Sequence, residues 1–63
     1  MAIYPATYIV RLTGPDDSPL ERGGFDGQPL LRVWAYSEQE ALKKARKDAP
    51  AGHRVVRAER QGI

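Results

Sequence analysis

The stretch that decides the fold runs from Leu30 to Arg60 and reads LLRVWAYSEQEALKKARKDAPAGHRVVRAER. Its opening residues, 30–36, alternate between two sets of side chains, the period of two that indicates a β-strand. One set is apolar and the other is mixed, and both sets contain bulky side chains. The two sets are Leu31, Val33 and Ala35, and Leu30, Arg32, Trp34 and Tyr36.

A helix is predicted directly after this strand, over about residues 38–48. Ser37 and Glu40 match a capping box, in which the serine oxygen and the glutamate carboxylate each accept a hydrogen bond from an otherwise unpaired backbone N–H. An apolar stripe follows at helical spacing, and Pro50 and Gly52 end the helix. The stripe consists of Ala41, Leu42, Ala45 and Ala49. A last strand is predicted over about residues 53–60.

Two further segments precede this unit. Residues 6–13 are rich in β-branched and aromatic types and predict a strand. Residues 14–29 hold three prolines, four glycines and four acidic residues, so they predict a long surface loop. A loop of this length in so short a chain is often functional, which makes it a candidate for the working surface.

These elements predict a single α+β domain, residues 1–63, with the order β-β-α-β. The helix returns the chain across the sheet, so the third strand runs parallel to the second and the first strand lies between them. We therefore expect a three-stranded, mainly antiparallel sheet of strand order 2-1-3, with the helix on the face that carries Val10 and Val33. Trp34 and Tyr36 would then lie exposed on the opposite face, as a contact surface or under a folded-back loop.

The composition argues against catalysis. The chain has no cysteine and one histidine, His53, and no spacing that would pair two acidic residues in a cleft, so the usual parts of nucleophilic and metal sites are missing. We expect no enzyme activity and no cofactor. No signal peptide is recognisable and no apolar run approaches the roughly 18 residues of a membrane span, so we expect a soluble, cytoplasmic protein without membrane contacts.

Charge is divided unevenly along the chain, although its net value is only +2. Residues 1–31 carry two basic and four acidic side chains, a net charge of −2, and residues 32–63 carry eight and four, a net charge of +4. Such a division can steer a protein towards a partner with patches of both signs. The acidic residues of the first half all lie in the predicted loop: Asp16, Asp17, Glu21 and Asp26.

From the second strand onwards, about residues 31–60, the chain resembles a family of small podophage proteins that inhibit the RNA polymerase of the bacterial host. The similar length and the same β-β-α-β order agree with this resemblance, whereas the long loop departs from the family pattern. The matching residues are Ala35 before an acidic helix start, Glu40-Ala41-Leu42 with Ala45, and above all Pro50-Ala51-Gly52 leading into a strand with Val55 and Arg57.

The resemblance implies a protein that binds the jaw region of the polymerase β′ subunit, near the DNA channel, and blocks a productive promoter complex. Two arginines of the last strand are important for this contact in the family. The first matches Arg57 and the second falls on Glu59, so either Arg60 substitutes for it or the partner surface differs. The family also carries a strip of negatively charged residues. In this chain only the acidic residues of the predicted loop can take its place, and they do not match the strip residue by residue. The predicted partner-binding residues are Arg54, Arg57, Glu59, Arg60, Trp34, Asp16, Asp17, Glu21 and Asp26.

Two other functions remain open at this level. The uncovered sheet face could make the chain a small nucleic-acid-binding module, with Trp34 and Tyr36 stacking on bases and the basic second half holding phosphates. Alternatively, the chain is a phage or prophage interaction domain with an unassigned partner. It would then be a monomer, or a weak homodimer through its sheet edge or its aromatic face.

Overall fold

The computed structural model describes residues 4–24 and 26–61. In chain order the elements are β1 (Ala6–Thr13), β2 (Glu21–Gly23), β3 (Gln28–Ala35), α1 (Glu38–Asp48) and β4 (Arg54–Arg60). The strands form one antiparallel sheet in the order β2-β3-β1-β4. The helix covers one face of this sheet, and we call the other face the open face.

The predicted α+β class and the predicted helix are confirmed, but the expected number of strands is wrong. The sheet has four strands rather than three, and the three predicted ones follow each other as β3-β1-β4. The additional strand, β2, lies inside the segment predicted to be a loop and pairs with the beginning of β3. As a result, β3 starts at Gln28 rather than at Leu30. The missed strand has only three residues, none of them apolar apart from a glycine, so no hydrophobic alternation announces it.

The core lies between the sheet and α1, and it is built largely from small side chains. Tyr8, Val10 and Leu12 alternate along β1 and are buried, which fits the central position of this strand. From α1, Ala41 and Ala45 are completely buried, and their small size lets the helix lie close to the sheet. The other buried members of this cluster are Val33, Ala35 and Ala58.

The start of α1 is fastened to the end of β3. Ser37 Oγ accepts a hydrogen bond from the backbone N–H of Glu40 at 3.1 Å, as the capping box predicts. The reciprocal bond differs, because the Glu40 carboxylate accepts from the backbone N–H of Tyr36 at 3.2 Å, one residue earlier than expected. One turn further on, Lys44 pairs with the same carboxylate at 3.3 Å and donates to the carbonyl of Trp34 at 2.8 Å.

The register between β1 and β4 shifts by one residue in the middle of the pair. Arg11 pairs with Arg57 and Leu12 pairs with Val55, so Val56 is the extra residue of a β-bulge. Val55 therefore packs against the core, while Val56 is 53% exposed. The bulge, rather than simple alternation, decides which face each residue of the first part of β4 occupies.

Candidate interaction surface

The open face carries the residues that alternate with the core positions of the strands. Cross-strand partners lie on the same face of an antiparallel sheet, so the register arranges these residues in rows. The first row contains Glu21, Leu30, Arg11 and Arg57, the second Arg32, Ile9 and Glu59, and the third Trp34 and Thr7. Arg54 extends the face beyond the first row, opposite Thr13. These positions include four arginines and two glutamates, so the open face is positively charged.

Arg57 and Glu59, the two residues singled out by the family resemblance, are ion-paired on the open face. Nη2 of Arg57 lies 2.7 Å from Oε1 of Glu59, and both side chains are largely exposed. Because an exposed ion pair contributes only about 0 to 1 kcal/mol, the arginine can exchange this carboxylate for another. Arg54 lies on the same face, whereas Arg60 pairs with the core residue Tyr8 and so lies on the helix side. The fold thus brings Arg54, Arg57 and Glu59 together and turns Arg60 away from them.

Polar contacts attach β2 to the rest of the open face. Nε and Nη2 of Arg32 donate to the two carboxylate oxygens of Glu21 at 3.2 and 2.9 Å. These hydrogen bonds are the main reason why the pKa of Glu21 is lowered and that of Arg32 is raised. Arg11 donates to the carbonyl of Gly23 at 2.8 Å, and Leu30, between β1 and β2 in the first row, is buried outside the main core cluster.

The acidic residues of the predicted loop do not form one strip, because Glu21 is occupied by Arg32 on the open face. Arg22 draws two loop segments together by donating to the carbonyl of Asp16 at 2.8 Å and to that of Gly27 at 3.0 Å. These segments lie at the end of the sheet where β1 ends and β3 begins. The three acidic side chains exposed there are Asp16, Asp17 and Asp26.

Aromatic side chains are exposed at the opposite end of the sheet, where β1 begins and β3 ends. Trp34 is 61% exposed and Tyr36 is 55% exposed, which confirms the exposure predicted from the alternation in β3. Thr7 is the cross-strand neighbour of Trp34, and its small side chain leaves the indole uncovered. Tyr4, which precedes β1 and has no periodic signal, is 73% exposed near the same end.

The structure also joins Ser18 and His53, a pair that the sequence does not indicate because the residues are distant in the chain. Ser18 Oγ lies 2.6 Å from Nε2 of His53, and Nδ1 of His53 lies 3.2 Å from the carbonyl oxygens of Pro50 and Ala51. An Nδ1–H that donates to these carbonyls leaves Nε2 to accept from the serine hydroxyl. Ser18 Oγ also accepts a hydrogen bond from the backbone N–H of Leu20 at 3.2 Å. Ser18 therefore has a structural role, because it links the loop to His53, the residue before β4.

Within residues 4–24 and 26–61, no three histidine, cysteine, aspartate or glutamate side chains come together as a metal site. No helix in the same part of the chain is long and apolar enough to span a membrane. No known protein family, no curated protein and no solved structure matches the chain. Function is therefore inferred from the chemistry of the open face and of β4.

Proposed function

We propose that this chain is a non-catalytic inhibitor that binds bacterial RNA polymerase at the jaw region of the β′ subunit and blocks initiation of transcription. One observation carries the proposal: Arg57, the residue that the family resemblance aligns with a contact arginine, lies exposed on an edge strand of the sheet. Arginine is enriched among residues that dominate protein interfaces, because its planar guanidinium pairs with carboxylates through two parallel hydrogen bonds.

The chemistry of β4 suits an acidic protein surface. The strand carries three arginines and one glutamate, and Arg54 and Arg57 share the open face. Glu59 holds the guanidinium of Arg57 at 2.7 Å in the free protein, so a partner carboxylate would take over a contact that is already oriented. Little free energy opposes this exchange, since exposed ion pairs are weak.

The proposal is tested by isothermal titration calorimetry of the protein with purified bacterial RNA polymerase, and separately with the isolated β′ jaw domain. Arg57→Glu should weaken binding at least about 30-fold, because it leaves an unpaired charge in the interface. Lys43→Glu is the matched control, since it makes the same charge change on the exposed side of α1. This control should bind within a few-fold of the wild type.

A transcription assay from a promoter template gives the functional readout. The wild type should suppress full-length transcripts, and Arg57→Glu should not. Glu59→Arg should strengthen both binding and inhibition, because it restores the second arginine that the resemblance expects and releases Arg57 from its present partner. The proposal would be refuted if polymerase does not bind the wild-type protein, or if it binds Arg57→Glu as tightly as the wild type.

A further inference from the structure

We propose that Arg32, Trp34 and Tyr36 form a binding site for single-stranded nucleic acid on the open face, independent of the β4 contact proposed above. Arg32 and Trp34 are alternate residues of β3 and share the open face, and Tyr36 lies two residues further on, in the bend that follows the strand; we call these three residues the β3 stripe. Two exposed aromatic rings and one arginine are the side chains that recognise unpaired bases and phosphates.

The spacing of the stripe suits an extended strand of nucleotides. Alternate residues of a β-strand lie about 6.7 Å apart, so each ring has room to stack on a separate base. Trp34 and Tyr36 are 61% and 55% exposed, and the cross-strand neighbour of the indole is Thr7, which is too small to cover it. More than half of each residue is thus exposed at this end of the sheet.

The charges around the stripe favour an anionic ligand. The carboxylate of Glu21 fixes the guanidinium of Arg32 through Nε and Nη2, and Nη1 takes no part in these two bonds and remains as a donor for phosphate. Lys44 donates to the backbone carbonyl of Trp34 at 2.8 Å and pairs with the Glu40 carboxylate at 3.3 Å. Arg32 therefore lies on the same face as the indole, and the Lys44 ammonium lies at the backbone of the same residue.

The same charges argue against a second copy of the chain, or another protein, as the ligand of this face. A second copy of the chain would bring together two open faces that each carry four arginines and two glutamates, so their net charges would repel. The centre of a protein interface is usually depleted of charged residues, whereas here Arg32 precedes Trp34 by two residues on the same face of β3. Single-stranded nucleic acid is the ligand class that engages both, because its bases stack on the rings and its phosphates pair with the cations.

Trp34 is the only tryptophan of the chain, so its fluorescence reports directly on the site. Titration with short oligo-dT or oligo-U at low salt should quench this fluorescence, with similar affinity for both because stacking tolerates different bases. Affinity should fall as salt rises, with a slope of log K against log salt of about −0.7 for each phosphate contacted. A duplex of the same length should bind more weakly, since its bases are already stacked.

Variants measured by the anisotropy of a labelled oligonucleotide separate the stripe from the rest of the surface. Trp34→Ala and Tyr36→Ala should each weaken binding about 5- to 100-fold, the range for loss of one stacked base. Tyr4→Ala, which removes an exposed ring outside the stripe, is the control for aromatic content and should bind like the wild type. Circular dichroism of each variant verifies that the fold is kept.

Two variants that each remove one positive charge complete the test. Arg32→Gln should weaken binding and reduce the salt slope, whereas Lys43→Gln should change neither. The inference would be overturned if the oligonucleotides do not quench Trp34 fluorescence at low salt, or if Arg32→Gln and Lys43→Gln lose oligonucleotide affinity equally. It would also be overturned if Trp34→Ala loses polymerase binding but keeps oligonucleotide binding. Its failure is distinguishable from failure of the proposed function, because Arg57→Glu tests the polymerase contact and leaves the stripe intact.

Discussion

The ion pair between Glu21 and Arg32 ties β2 to β3 through two hydrogen bonds, and its charge makes this attachment depend on pH. The folded-state pKa of Glu21 lies below its ordinary value of 4.5, chiefly because Arg32 donates to the ionised carboxylate. The pair therefore stabilises the fold above pH 4.5, and this contribution is lost as the pH falls through the lowered pKa.

We expect an NMR titration of the Glu21 carboxyl carbon to have its midpoint below 4.5 in the wild type. In Arg32→Gln the midpoint should return towards that value, because the charged donor is gone. Below the lowered pKa, Glu21→Gln and the wild type should differ little in stability. A midpoint that does not move in Arg32→Gln would mean that Arg32 does not set the titration of this carboxylate.

Gly14 and His53 are in close contact at the end of the sheet, which makes a second prediction at the residue scale. A Cβ built on Gly14 would lie 2.7 Å from Nε2 of His53, closer than real Cβ atoms approach other atoms. Gly14→Ala must therefore displace the imidazole and disturb its contact with Ser18, and we expect it to destabilise the protein by about 0.5 to 1.5 kcal/mol, the net contribution of one hydrogen bond.

Chemical denaturation of a double-mutant cycle measures this effect. In a His53→Ala background the ring is absent, so Gly14→Ala should cost much less than in the wild type. Ser18→Ala is the comparison for loss of the hydrogen bond alone. If Gly14→Ala is equally costly with and without the imidazole, the ring contact is not the cause.

At the scale of elements, the start of α1 depends on the hydrogen bond from the backbone N–H of Glu40 to Ser37 Oγ. Ser37→Ala removes this acceptor and should lower the free energy of unfolding by about 1 kcal/mol, within a usual range of 0.5 to 2. Ser37→Asp keeps an acceptor at the cap and should retain most of the stability in the same urea titration. A Ser37→Asp variant as unstable as Ser37→Ala would show that the hydrogen bond is not what Ser37 contributes.

The elements that the sequence predicts are those with a local cause. α1 follows from its cap and its alanine stripe, and β1 follows from alternation, so both were placed within the observed bounds. β2 could not be predicted, because Glu21 and Gly23 are held by polar contacts to Arg32 and Arg11, which are 11 and 12 residues away in the chain. Such contacts leave no periodicity in the strand itself.

The candidate surface shows the same limit. The exposure of Trp34 is predictable because alternation in β3 continues without interruption. The position of Arg54 on the open face is not predictable, because it depends on the bulge at Val56. This bulge reverses the alternation in the first part of β4. The contact between Ser18 and His53 needs the complete fold, because neither residue carries a local signal.

At the scale of the whole molecule, the two ends of the sheet differ in chemistry. The exposed aromatic rings lie where β1 begins, and the exposed aspartates lie where it ends. The arginines of the open face lie between them. Single-stranded nucleic acid bound to the β3 stripe would therefore be oriented along the sheet, since the aspartates repel phosphate at one end while the rings offer stacking at the other.

The small core makes the stability of the molecule depend on few side chains. A domain of 63 residues has a free energy of unfolding of roughly 3 to 9 kcal/mol. Leu12 is the largest completely buried side chain, and Leu12→Ala should cost about 2 to 5 kcal/mol, because it removes apolar contacts and leaves a cavity. This single change should bring the protein close to its unfolding transition at room temperature.

Val56→Ala is the matched control, because it shortens an apolar side chain at the register shift beside Leu12 but outside the core. Its unfolding temperature should stay near that of the wild type, whereas that of Leu12→Ala should fall by about 8 to 40 °C, since about 1 kcal/mol corresponds to 4 to 8 °C in a domain of this size. Equal unfolding temperatures for the two variants would contradict the position of Leu12 between the sheet and α1. They would also weaken both proposed surfaces, because the open face exists only where the opposite face of the sheet is packed.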